Sequence, residues 1–317
     1  MTQPADASGA PHGSRTAYWS GAAGALLIAG SAVFVRLAEV SPSTAAVYRC
    51  AYALPPLAFL AWLEDRRYGR RAARDRRVAL AAGVFFAADL TLWHHSIEAV
   101  GAGLATVLGA TQLVVTGLVA WALLGERPTA RVQTAVPAVL VGVVLISGAV
   151  GGGAYGEDPV LGAVFGLLTA VMYSAFILLL RRSNADLRRP AGPLLDASAS
   201  AAVVAALAGL AVGDLDLAPY WPAHGWLLAL ALTSQVIAWL LISVSLPRLP
   251  AVVTSLLLML QPVGSIALGI VLLAEAPSPL QLVGVAMVLA AVVFATSRPG
   301  VGDRERAELV EEVPAAL

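Results

Sequence analysis

Three charged residues, Arg49, Asp89 and Asp196, lie within long apolar segments of the sequence. A charge at the centre of a bilayer costs about 2.5–3.5 kcal/mol on insertion scales, so each needs a physical reason to be there. Asp196 lies near the start of its segment, where a helix N-terminus and lipid headgroups favour a carboxylate. Arg49 and Asp89 lie deeper, about 9 Å and about 12 Å from the same membrane face for a rise of ~1.5 Å per residue.

The matching depths of Arg49 and Asp89, which belong to consecutive segments, leave two interpretations open. In the first, the two side chains form a buried ion pair that fixes helix packing. In the second, both line one water-filled cavity, where Arg49 binds an anionic group of a solute and Asp89 binds a proton or an amine.

Neutral polar residues add further candidates for contact with a solute. Gln112 and Gln261 lie about 15 Å deep, near the middle of a ~30 Å hydrocarbon core. Tyr173 and Gln235 lie in two other apolar segments. Such residues either join helices by hydrogen bonds or line a cavity. The predicted solute-binding residues are Arg49, Asp89, Gln112, Tyr173, Gln235 and Gln261.

A row of titratable residues continues from Asp89 toward the end of its segment. His95 and Glu98 share one helical face, and histidine titrates near neutral pH, so the row could pass protons to Asp89. The alternative is a wet helix end near the interface. Asp89, His95 and Glu98 are the proton-coupling candidates. His94 and His95 are adjacent in the sequence, so their side chains point to different faces of a helix, and no third metal ligand is evident. We therefore expect no metal and no cofactor.

Composition indicates the class of protein that holds these residues. The chain has 317 residues, of which 59% are hydrophobic and 13% charged, and its mean hydropathy is +0.80. Soluble domains carry about 25% charged residues, so the sequence predicts a polytopic membrane protein in contact with the lipid bilayer. The zero net charge does not point to nucleic acid, and a single cysteine, Cys50, excludes an intramolecular disulfide.

Hydropathy over a window of about 19 residues predicts ten membrane-spanning segments. They are 17–35, 43–63, 78–97, 102–124, 132–150, 160–180, 194–212, 225–246, 251–274 and 280–296. The links at 66–77 and 181–189 are rich in arginine, whereas the opposite loops with Glu157 and Asp158 or Asp214 and Asp216 carry no arginine. Arg36, beside the first outer loop, is the only basic residue on the opposite side. The positive-inside rule therefore predicts a cell-membrane protein with a cytoplasmic disordered tail at 1–16 and a cytoplasmic tail at 298–317.

The second half of the chain repeats the first at a shift of 149 residues. Rare residues fall into this register, since Gln112 aligns with Gln261 and Glu126 with Glu275. The two units are 17–150 and 160–297, and each holds five segments. Because five is odd, the second unit enters the membrane from the opposite side. The predicted fold is an all-α integral membrane protein of ten transmembrane helices in two inverted five-helix repeats.

Several sequence features resemble the EamA-like family of the drug/metabolite transporter superfamily. The features are Gly125-Glu126-Arg127-Pro128, Ala274-Glu275-Ala276-Pro277, Ser41-Pro42-Ser43 with Arg49, and Tyr173 followed by Arg181-Arg182. Ala274 stands where the family has glycine, and His94-His95 is not a family signature. The resemblance implies a carrier of metabolites or drugs that is often an exporter.

These observations predict a secondary transporter that moves a small metabolite or drug-like solute by alternating access, as an exporter and with proton coupling. The alternatives are an intramembrane enzyme and a passive channel or scramblase. The chain has no lysine and hence no Walker A motif, and no HExxH or GxSxG motif occurs, so we expect no enzyme. Small-residue faces such as Gly21-x-x-Gly24 are compatible with a homodimer and equally with packing inside one bundle.

Overall fold

Helices make up all the regular structure in the described part of the chain. The computed structural model describes residues 12–124, 129–151, 153–183, 186, 188–245 and 257–296. The helices are α1 (His12–Ala29 and Ser31–Ala38), α2 (Pro42–Ala51 and Leu54–Tyr68), α3 (Ala73–Val100), α4 (Ala102–Ala110 and Gln112–Leu124), α5 (Ala130–Ile146), α6 (Pro159–Ser183), α7 (Ala191–Val212), α8 (Ala223–Leu230, Ala231–Ala238 and Trp239–Ser245), α9 (Leu260–Leu273) and α10 (Pro279–Thr296).

Each of the ten predicted membrane segments corresponds to one of these helices. Seven helices are long and apolar enough to span a bilayer, and α4, α5 and α9 are shorter apolar helices. The prediction of an all-α membrane protein is confirmed. Helix α1 begins at His12, inside the segment predicted as a tail. Glu126, Pro128, the start of the ninth segment at Ala251 and the C-terminal tail lie outside the described residues.

Four helices are interrupted where the sequence predicted continuous segments. In α2 the break at Tyr52 and Ala53 precedes Pro55 and Pro56, which cannot donate to the preceding turn. In α4 the hydroxyl of Thr111 donates to the Leu108 carbonyl at 2.6 Å, beside the break. The middle of α8, Ala231–Ala238, is a π-helix, a form that occurs often at functional sites.

The helices pack in pairs that follow the repeat. Helices α2, α4 and α5 pack against α7, α9 and α10, which are their own counterparts in the second half. The pair α3–α6 corresponds in the same way to the pair α8–α1. The start of α4 meets Glu275, the residue just beyond the end of α9, so the members of this pair run in opposite directions. This arrangement has the pseudo-twofold symmetry of an inverted repeat.

Small residues let the paired backbones approach closely. A Cβ atom added to Gly284 in α10 would lie 2.6 Å from the Gly142 carbonyl oxygen in α5. A Cβ atom added to Gly83 in α3 would lie 2.3 Å from the Ala197 carbonyl oxygen in α7. Only glycine is compatible with these crossings, which fix the distance between the halves.

Hydrogen bonds join helix α2 to its counterpart α7 at one end of the pair, and to the loop after α7 at the other end. The Glu64 carboxylate accepts hydrogen bonds at 2.9 Å from the N–H groups of Ala191 and Gly192, at the start of α7. These N–H groups have no partner within their own helix, and a carboxylate also favours the positive end of the helix dipole. At the other end of the pair, Thr44 near the start of α2 accepts a bond from the Asp216 N–H at 2.9 Å.

Candidate functional site

Arg49 forms the centre of a polar cluster that joins the two halves. It lies in the last turn before the break in α2 and is 5% exposed. Its Nε donates to Gln235 Oε1 at 3.1 Å, in the π-helical part of α8. Gln235 Nε2 in turn donates to Ser198 Oγ at 3.0 Å, on α7. One chain of hydrogen bonds therefore links a charged side chain of the first repeat to two helices of the second.

Asp89 lies in α3 and is 4% exposed. It interacts electrostatically with Arg49 and with Tyr173. Among the described residues, however, no ion pair within 4 Å joins it to Arg49 and no hydrogen bond reaches its carboxylate. The Nε of Arg49 bonds to Gln235 instead. Because a buried carboxylate is costly without donors, Asp89 is available to a proton or to a cationic group.

Aromatic rings lie next to this polar cluster. The Arg49 guanidinium lies 5.7 Å from the ring centre of Trp93, one turn beyond Asp89 in α3. The Tyr173 ring lies 6.3 Å from Trp239 in α8 and 5.7 Å from Phe176. Most ligand sites have a similar composition, in which an apolar lining carries a few polar groups that fix the orientation of the ligand.

The two glutamines predicted at mid-membrane lie in different surroundings. Gln112 follows the break in α4 and is half-buried. Its backbone carbonyl oxygen accepts a hydrogen bond from the Thr116 hydroxyl at 2.6 Å, and the same hydroxyl lies 2.9 Å from Ser174 Oγ, in the residue after Tyr173. Gln261 lies in the first turn of α9 and is half-buried. The described contacts bring together Arg49, Asp89, Tyr173 and Gln235, and connect Gln112 to them through α6.

The proton-coupling candidates His95 and Glu98 lie near the C-terminal end of α3. His95 Nδ1 lies 3.5 Å from Glu98 Oε2, with side chains 35% and 50% exposed. The His95 ring stacks on Phe165 of α6 at 5.2 Å. His94 is buried, and its Nδ1 lies within 3.1 Å of the Pro42 carbonyl oxygen at the start of α2. A proton path from His95 and Glu98 to Asp89 stays a prediction.

Glu275 occupies a second buried site, between α4 and α9. Its carboxylate is 4% exposed and accepts hydrogen bonds from the N–H groups of Ala102 at 2.5 Å and Gly103 at 3.0 Å. These contacts, between Glu275 and the first turn of α4, form what we call the Glu275 clamp. Cβ atoms added to Gly101 or Gly269 would lie 2.9 and 2.3 Å from the carboxylate oxygens, so the clamp requires glycine at both positions.

The residue before the clamp and the loop above it also have particular geometry. Ala274 ends α9 in the left-handed region at φ 55°, a conformation that favours glycine. Tyr155, in the loop between α5 and α6, packs against Gly101. Burial and the neighbouring Glu275 carboxylate raise the pKa of Tyr155 above its ordinary value. The ring therefore covers the clamp as a neutral phenol.

Sequence reasoning missed three of these features. Ser198 gave no signal, because serine is common on small-residue faces. Trp93 was not predicted as a site residue, although it lies four residues after Asp89 and hence on the same helical face. The repeat identified Glu275 as a recurring residue but not as a helix cap. The pair Gly101 and Gly103 at the predicted start of α4 was the available signal.

The fold and the polar cluster between its halves define a multi-pass membrane protein built from inverted repeats. A family model described as the EamA-like transporter family matches residues 15–148 and 160–297. The chain belongs to this family, which confirms the resemblance to the drug/metabolite transporter superfamily. A solved structure, described only as a crystal structure of a protein, is similar with a TM-score of 0.58 and 19% identity. The similarity covers 89% of this chain and 96% of that one, and it shows a shared fold. No curated protein matches the chain.

Proposed function

We propose that this chain is a secondary transporter that carries a small metabolite or drug-like solute across the cell membrane by alternating access. The observation that carries the proposal is the hydrogen-bonded chain from Arg49 through Gln235 to Ser198, which joins the two inverted halves. A solute bound there would contact both halves, so its contacts would change when one half moves relative to the other. Two inverted halves can also exchange conformations at nearly equal energy.

The proposed solute carries an anionic group, with or without a cationic one. The Nε of Arg49 is bonded to Gln235, which leaves the terminal nitrogens of the guanidinium for a carboxylate or phosphate. Asp89, with no hydrogen-bond donor among the described residues, would bind an amine or a proton. Tyr173 would contact the apolar part of the solute. Gln112, just after the break in α4, and Gln261, in the first turn of α9, are proposed to line the path of the solute.

Proton coupling is proposed through Asp89, with His95 and Glu98 as the entry from the membrane surface. Protonation of Asp89 would remove its attraction for Arg49 and for a cationic group of the solute. A proton and an amine would then compete for one carboxylate, which is a sufficient physical basis for exchange of one against the other.

The Glu275 clamp is proposed to close one face of the transporter. The arginine-rich links support an orientation with both termini, including the tails at 1–16 and 298–317, in the cytoplasm. The clamp then lies at the outer face. The repeat register equates Glu275 with Glu126 and Ala102 with Ala251.

Outward transport is proposed on the family's tendency toward export, and counterflow in proteoliposomes tests the function as a whole. The purified chain is reconstituted and given a panel of labelled anionic, zwitterionic, cationic and neutral solutes. A carrier accumulates label when unlabelled solute is present on the far side. Conductance without such stimulation would indicate a channel, and conversion of the solute would indicate an enzyme.

Arg49→Gln should strongly weaken counterflow of anionic solutes at solute concentrations below their KM. Arg36→Gln, which removes an exposed arginine near the end of α1, is the matched control and should leave counterflow intact. Equal loss in both variants would argue against the proposed site.

A further inference from the structure

Seven arginines lie in the last turn of α2, the link that follows it and the start of α3, and the structure divides them into two sets. Arg71, whose side chain is largely buried, and Arg76, which is exposed, pair with Asp196, and their guanidinium nitrogens lie 2.9 and 3.5 Å from its carboxylate. Five others are exposed and have no acidic partner within 4 Å among the described residues. We call these five the outward arginines; they are Arg66, Arg67, Arg70, Arg74 and Arg77.

The outward arginines continue a row of exposed aromatic rings on α2. Phe59 and Trp62 are 59% and 47% exposed, and their rings stack at 6.0 Å. The Arg66 guanidinium lies 4.1 Å above the Trp62 ring. Residues 59, 62 and 66 are three and four apart, so they share one face of the helix. This face therefore passes from apolar rings to cationic groups within about two turns, at ~5.4 Å per turn.

We propose that this face binds an anionic phospholipid, with an acyl chain along Phe59 and Trp62 and the headgroup phosphate against Arg66 and Arg70. Indole rings favour the headgroup level of a bilayer. Guanidinium groups bind phosphate with two parallel hydrogen bonds, and clusters of four to eight basic residues beside a transmembrane helix are typical of anionic lipid binding.

The positive-inside rule by itself does not account for these features. It requires arginines in the turn, but it does not require that two be neutralised by Asp196 while five remain without a carboxylate. Nor does it require a ring stacked under Arg66. Of the other acidic residues of the region, Glu64 caps α7 and Asp65 pairs with Arg189, which leaves Asp75 in the first turn of α3 as a single carboxylate beside five outward arginines. The outward arginines thus carry an excess of positive charge. The proposal does not depend on the transport function.

Thermal unfolding of the purified full-length chain in a nonionic detergent tests the proposal. Added phosphatidylglycerol should raise the Tm by about 2–4 °C, whereas phosphatidylcholine and inorganic phosphate should not. The shift should disappear in R66Q/R70Q and persist in R181Q/R182Q, which removes two exposed arginines at the end of α6. Equal shifts with both lipids, a shift with inorganic phosphate, or equal loss in both variants would overturn the proposal.

Quenching of tryptophan fluorescence gives a second measurement that does not depend on stability. Phosphatidylglycerol with brominated acyl chains should quench the wild-type chain more strongly than brominated phosphatidylcholine does. The difference between the two lipids should be lost in Trp62→Phe and in R66Q/R70Q. A difference of the same size in Trp62→Phe would show that the anionic lipid binds elsewhere.

Discussion

The Glu275 carboxylate accepts a hydrogen bond from the Ala102 N–H, although 173 positions separate the two residues in the chain. A second bond, from Gly103, completes the contact. The first N–H groups of a helix have no partner within it and carry the positive end of its dipole, so one carboxylate satisfies two donors and the dipole together. The contact joins α4 to its own counterpart, α9. It therefore joins the two halves of the protein at one end of this helix pair.

Replacement of Glu275 should weaken this contact in proportion to the acceptors lost. Glu275→Gln keeps one acceptor oxygen and loses the charge, and we expect a destabilisation of about 1 kcal/mol. Glu275→Ala leaves the N–H groups of Ala102 and Gly103 without a partner, and we expect about 2–3 kcal/mol. Melting of the purified variants measures both. Glu157→Gln, in the exposed loop between α5 and α6, is the control and should melt like the wild type. A Glu275→Ala variant with wild-type stability would contradict the role of the clamp.

The ten helices and the inversion could be predicted from the sequence because both follow from the length and number of its apolar segments. Apolar length identifies each span, and the parity of five spans fixes the direction of the second unit. The breaks in the helices could not be predicted in this way. The interruption at Thr111 involves a hydroxyl that bonds to a backbone carbonyl, and the π-helix at Ala231–Ala238 lies where α8 packs on α1 and α2. Such features depend on contacts between helices.

The sequence indicated part of the candidate site for a similar reason. Arg49 and Asp89 stand out because charges are rare inside membranes, and their depths follow from the rise of a helix. Depth does not give rotation about the helix axis, and so the bond from Arg49 to Gln235 was not foreseen. Ser198, the third member of the chain, belongs to a helix rich in alanine and serine, where one hydroxyl cannot be distinguished from the others.

Asp89→Asn should separate proton coupling from solute binding. The amide has the size of the carboxylate but neither binds a proton nor carries a charge near Arg49. We expect that transport driven by an imposed pH gradient is lost while counterflow of anionic solutes remains. Uptake into proteoliposomes with and without the gradient measures this. Full gradient-driven transport in Asp89→Asn would remove Asp89 from any coupling role.

Arg49→Gln should affect recognition rather than folding. The amide can still donate a hydrogen bond to Gln235, but the charge that attracts an anionic group is gone. The loss of a charge-assisted hydrogen bond, about 1.5–3 kcal/mol, corresponds to an increase in KM of about 10- to 100-fold for anionic solutes. Neutral solutes should show a much smaller change. An equal increase in KM for both classes would indicate that Arg49 only supports helix packing.

Gly284→Ala should destabilise the chain by about 1–3 kcal/mol, the usual range for overpacking. The added Cβ atom would lie 2.6 Å from the Gly142 carbonyl oxygen, where the two backbones leave no room to relax. Gly30→Ala is the control, since its Cβ atom would make an ordinary contact at 3.6 Å. Because Gly30 lies between two helical parts of α1, alanine there should be neutral or slightly stabilising. Thermal melting compares the two variants, and equal stability would contradict the close crossing of α5 and α10.

Cysteine labelling should show the membrane orientation of the two repeats. Ala130 follows α4 and Ala276 follows α9, and both are exposed. The only native cysteine, Cys50, is 0% exposed, so the wild-type chain should remain unlabelled and serve as the control. A maleimide that cannot cross membranes should label Ala276→Cys in intact cells. It should label Ala130→Cys only after the cells are permeabilised, because the arginine-rich links predict a cytoplasmic location for that end. Labelling of both variants in intact cells would contradict the inverted arrangement, and the reverse order of labelling would contradict the orientation alone.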